Sequence, residues 1–116
     1  IWFGEYSAGK LGKLDQSTGK ITEYALPHQN SQPYDVFEHQ GSIWIADAGQ
    51  GGTLIRFNPQ DGSFTYYPSP QRADKPKIQI TRDGAIWYSP RSSVEYPGIG
   101  VLYPDMDKIT TFAAYY

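Results

Sequence analysis

The chain repeats itself, and the period restricts its fold more than any other feature. Ile-Trp followed by a β-favouring residue occurs at "IWFGEY" (Ile1), "IWIADA" (Ile43) and "IWYSPR" (Ile86). Trp2 to Trp44 is 42 residues and Trp44 to Trp87 is 43. "LGKLDQSTGKITEYALP" (Leu11 to Pro27) lies over "LIRFNPQDGSFTYYPSP" (Leu54 to Pro70), with Gly19 on Gly62, Thr22 on Thr65 and Tyr24 on Tyr67. A third copy, "VLYPDMDKITTFAAYY", places Thr110 on Thr65 and Phe112 on Tyr67. A period in the low forties with several short strand signals per unit is the signature of a propeller blade.

Each unit reads as four strands. The first is Tyr34 to His39, and again Pro76 to Thr81. The second is Ile43 to Asp47, matched by Ile1 to Glu5 and Ile86 to Ser89. The third is Thr53 to Asn58, matched by Lys10 to Asp15 and Ile99 to Tyr103. The fourth is Ser63 to Tyr67, matched by Lys20 to Tyr24 and Lys108 to Phe112. The hairpin segments "STGK", "QDGS" and "RDGA" put Gly where positive φ is cheap. No segment carries a sustained helical period with caps. The expected fold is all-β: a partial β-propeller over residues 1–116, with units 1–33 (first strand missing), 34–75 and 76–116.

Blades are covered on both faces by their neighbours, so Trp2, Trp44 and Trp87 are expected to fill the wedges between sheets. About three blades cannot close a ring that typically takes four to eight. The expected partners are therefore the remaining blades, in the same or another chain. The sequence begins at Ile1 without Met, and is expected to be a processed product, an excised piece or an incomplete reading. Net charge is −2, which gives no basic field for nucleic acid. No apolar run approaches the ~20 residues of a membrane helix. With no Cys there are no disulfides, no thiolate chemistry and no Cys-attached haem.

Antiparallel pairing brings second-strand ends and first-strand starts to one rim. Glu5, Asp47 and Ser89 end second strands there; Tyr34, Asp35, Lys77 and Ile78 begin first strands. The loop after the second strand also varies there, with 9 residues from Trp2 to Leu11, 10 from Trp44 to Leu54 and 12 from Trp87 to Ile99. Variation at one rim of a constant scaffold is how repeat folds place function. The expected binding rim is Glu5, Tyr34, Asp35, Asp47, Lys77 and Arg91, with a small-molecule ligand as its occupant. Glu5 and Asp47 are the candidate metal ligands, and as oxygen donors they suit Mg²⁺ or Ca²⁺ better than zinc. Lys77 works against them, and Asp47 and Lys77 are expected to neutralise each other. His28, in "LPHQN", is the candidate catalytic base; His39 lies at the far rim.

The stretch "IWFGEYSAGKLGKLDQSTGKITEYALP…SQPYDV" resembles the streptogramin B lyase (virginiamycin B lyase)-like repeat family. Its members repeat a Trp-Phe-Thr-Glu-like strand, a Gly-Lys-Ile-Gly-Arg-like strand, a Thr-Gly and a Pro-Tyr or Pro-His start. Here these are Trp2 to Glu5, Gly9 to Leu14, Thr18 to Tyr24 and Pro33 to Val36. The resemblance implies a bacterial propeller, secreted or periplasmic. It also implies, for the lyases themselves, elimination that opens a cyclic lactone with a histidine base and a divalent metal, Mg²⁺, near acidic residues. That chemistry needs a base near neutral pKa and a cation polarising the carbonyl. Glu5 and Asp47 keep the acidic position, whereas Ser89 does not, and Tyr34 and Lys77 stand where the family has histidine. The expected function is thus a non-catalytic scaffold or recognition segment, with no cofactor. A Mg²⁺-dependent carbon–oxygen lyase is the second reading, and a propeller module accompanying a redox or cytochrome subunit the third.

Overall fold

A computed structural model describes residues 1–28, 30–49, 53–68, 77–89, 98–103 and 108–113, with the backbone alone at 68, 77, 88, 89, 98, 99 and 108–113. Among these residues, eleven strands form three antiparallel sheets. The first sheet holds β1 (Trp2–Glu5), β2 (Lys10–Leu14) and β3 (Ile21–Ala25). The second holds β4 (Pro33–His39), β5 (Ser42–Asp47), β6 (Thr53–Asn58) and β7 (Ser63–Pro68). The third holds β8 (Lys77–Ile80), β9 (Ile86–Ser89), β10 (Gly98–Tyr103) and β11 (Lys108–Ala113). Within each sheet the strands pair in chain order, and the sheets do not close into a barrel. Among the described residues there is no α-helix, and the strands fall within a residue or so of the bounds expected from the repeat.

The second sheet is buried on both faces, and strand alternation sorts its side chains between two cores. Ile43 and Ile45 of β5, with Ile55 and Phe57 of β6, face the first sheet and meet Leu11 and Leu26. Trp44 and Ala46 of β5, with Leu54 and Tyr67, face the third sheet and meet Ile78, Ile86 and Leu102. Every residue of β5 is buried, as expected of a central strand in a stacked sheet.

The tryptophans follow the same logic. Trp2 lies against Tyr24 and Phe57, at ring separations of 5.8 and 5.9 Å, and bridges the first and second sheets. Trp44 is 2% exposed and packs on Tyr67 at 5.9 Å. Trp87 is only half-buried. Its neighbour Ile86 points into the second-sheet core, so alternation turns Trp87 to the opposite face. Among the described residues no further sheet covers that face.

The hairpins are held by aspartates that accept from their own turns. Asp15 accepts from the Ser17 N–H and hydroxyl, Asp61 from the Ser63 N–H, and Asp83 from the Thr81 hydroxyl and the Ala85 N–H. These hydrogen bonds, first of all those from Ser17, Ser63 and Thr81, lower all three carboxyl pKa values below 3.8. A carboxyl depressed on folding contributes stability that is present above its unfolded value and lost as pH falls through its folded one. Thermal melts should therefore show an acid limb beginning below pH 3.8, and Asp15→Asn with Asp61→Asn should flatten it. A limb of unchanged slope in the double variant would contradict this account of the turns.

Candidate functional site

The rim at which β1 and β5 end is built by backbone packing as much as by side chains. A Cβ on Gly4 would stand 2.8 Å from the Pro33 carbonyl oxygen, so β1 lies directly against the start of β4. Pro33 in turn pairs with Asp47. Glu5 and Asp47, at the ends of equivalent strands, thus share one rim. Tyr34 stands between the paired residues Pro33 and Asp35, at a register shift in β4. Such a bulge re-aims the side chain it carries. Tyr34 is 38% exposed and meets Tyr6, 43% exposed, edge to face at 6.2 Å.

The two rim aspartates act on backbone. Asp47 is 2% exposed. Its Oδ1 accepts from the Gln32 N–H at 2.6 Å and the Gly49 N–H at 2.8 Å. Gln32 is the last connector residue before β4, so this carboxylate fastens the entry of the second sheet's first strand to the end of its second strand. Gly49 is required for that approach, because a Cβ there would collide with the Asn30 carbonyl oxygen. Asp35 ties the second sheet to the third: its Oδ2 accepts from the Ile78 N–H of β8 at 2.9 Å. The sequence points to Lys77 as the partner of Asp47, and the described partners of Asp47 are these two N–H groups. Lys77 pairs through its backbone with Ser89, and its side chain lies outside the described residues, as does Arg91.

Glu5 has a different environment. Loss of solvation raises its pKa above 4.5, repulsion from Glu23 adds to the rise, and Lys10 opposes it. Lys10 is committed to Glu23 at 3.1 Å. Among the described residues no three carboxylate or imidazole groups are placed to hold one metal ion. Asp47 spends one oxygen on two backbone N–H groups, and Glu5 is grouped with Glu23 and Lys10.

His28 stacks on Tyr66 of β7, with ring centroids 3.9 Å apart and planes at 19°. It borders a cleft of about 320 Å³ shared with Lys10, Leu26, Asn30 and Ser31. β4 and β8 are the strands that meet between the second and third sheets, whereas β7 is at the opposite edge of its sheet. His28 is therefore held at the outer edge. Its imidazole is exposed and has no hydrogen bond to a carboxylate among the described residues. Sequence reasoning missed Tyr66. Burial raises its hydroxyl pKa first of all, the His28 backbone lowers it, and the Asp47 charge raises it. The period could have flagged it, because Tyr66 sits where Glu23 sits in the first unit.

No protein-family model and no curated protein matches the chain. Among the solved structures that match is a streptogramin B lyase structure, with a TM-score of 0.80 and 30% sequence identity. The alignment covers 96% of this chain and 36% of that one. The chain is thus similar, along nearly its whole length, to a part of a streptogramin B lyase that makes up 36% of it.

Proposed function

We propose that the chain is a non-catalytic scaffold and recognition segment of a larger streptogramin-lyase-like propeller, whose other blades lie in the same or another chain. The observation that carries this reading is the use of both rim aspartates on backbone N–H groups: Asp35 ties the second sheet to the third, and Asp47 anchors the connector that leads into β4. Two of the rim carboxylates are thus spent on holding the scaffold. The uncovered ends support the larger assembly. Trp87 faces away from the second sheet, and Ile1 and Ile21 of the first unit are 60% and 53% exposed. Three sheets matching 36% of a relative's length correspond to a ring of about seven or eight blades, within the four to eight of closed propellers. The exposed Tyr6–Tyr34 pair is the recognition surface of this segment, suited to a small ligand with an apolar or aromatic face. A secreted or periplasmic bacterial location belongs to the same reading and rests on the resemblance.

The test is a streptogramin B turnover assay on the native protein, with and without Mg²⁺. Glu5→Gln is expected to leave any turnover unchanged. Mg²⁺-dependent turnover that falls in Glu5→Gln, at an unchanged melting temperature, would put the lyase reading first.

A further inference from the structure

At the opposite rim, between the second and third sheets, lies a cleft of about 270 Å³. It holds several waters' share of liquid volume, at ≈30 Å³ each, or one small anion. It is bordered by His39, Ser42, Trp44 and Arg56 from the second sheet, and by the turn residues Arg82 and Asp83 from the third. The β4–β5 turn, with Gln40 and Gly41 at φ 49° and 77°, forms one wall.

We propose that this cleft binds an oxyanion, the carboxylate or phosphate group of a small ligand. Four observations meet here. Arg56 is pre-oriented: its Nε donates to the Ser42 hydroxyl at 2.9 Å, and its guanidinium lies 5.4 Å from the Trp44 ring centroid. Its two terminal nitrogens have no partner among the described residues. That leaves the paired N–H donors that match a planar or tetrahedral oxyanion. Arg82 supplies a second guanidinium from the neighbouring sheet, and no ion pair among the described residues neutralises it. His39 borders the same space, and its Nε2 is buried with no hydrogen-bond partner. A buried nitrogen without a partner is costly.

Asp83 is the opposing charge. Its Oδ1 is occupied by the Thr81 hydroxyl and the Ala85 N–H, so it holds its own turn rather than either arginine. The two guanidinium charges outweigh it, and the cleft keeps a positive balance although the chain is acidic overall.

Calorimetric titration of inorganic phosphate, and separately of acetate, into the native assembly tests the proposal. Saturable binding of either anion is expected, with phosphate preference identifying a phosphorylated ligand and acetate preference a carboxylic acid. Arg82→Gln, on an exposed turn, should weaken binding about ten- to hundredfold, the range for loss of a charged hydrogen bond. Asp83→Asn keeps the turn's acceptor and removes the repelling charge, so it should tighten binding, which a merely structural role for Asp83 would not do. No saturable binding of either anion, or binding unmoved by both substitutions, would overturn the proposal.

Discussion

Trp44→Ala is expected to destabilise the fold by about 3–5 kcal/mol, the range for truncating a large buried aromatic. Trp44 sits in the wedge between the second and third sheets, 2% exposed, with Tyr67 beside it and Arg56 over its ring. Its removal opens a cavity that rigid sheets cannot collapse to fill. The equivalent residue one unit later gives the comparison. No described sheet covers the face of Trp87, so its packing depends on a further blade. Within a completed ring Trp87→Ala should cost about as much as Trp44→Ala. Chemical denaturation of both variants in the completed ring measures this, and a clearly smaller cost for Trp87→Ala would show that no neighbouring blade covers it.

The second large effect belongs to Asp47. Asp47→Ala strands the N–H groups of Gln32 and Gly49, and each buried donor left unpaired costs about 1–3 kcal/mol. Asp47→Asn keeps one carbonyl acceptor and should be milder. Hydrogen exchange should accelerate at Gln32 and Gly49 in both variants, and more in the alanine variant. Unchanged exchange at Gln32 would show that the carboxylate does not hold the connector.

Much of the fold was legible because a blade writes its periods twice. The forty-odd-residue repeat gives the number of sheets, and the alternation within "SIWIAD" gives the sorting of side chains to two cores. The rim was legible as a place, since strand ends and variable loops fix it topologically. The work of its residues was not. A carboxylate at a strand end looks the same in sequence whether it faces solvent or takes two N–H groups from a connector. Asp47 is decided by the close approach of Asn30 to Gly49, a tertiary event. Tyr34 is turned outward by a one-residue shift in register that no local pattern announces. His28 is set by a partner, Tyr66, 38 residues away. The cleft at the opposite rim joins Arg56 in a third strand to Arg82 in the following unit's first turn, positions that do not correspond within the repeat.

The claim on which the rest depends is that these three sheets are consecutive blades of a larger ring and need neighbours at both ends. Sedimentation of the 116-residue chain expressed alone tests it most directly. The account predicts no stable species at 13.0 kDa, but self-association into larger particles through the uncovered faces of the first and third sheets. A monodisperse, cooperatively folded species of 13.0 kDa would contradict it.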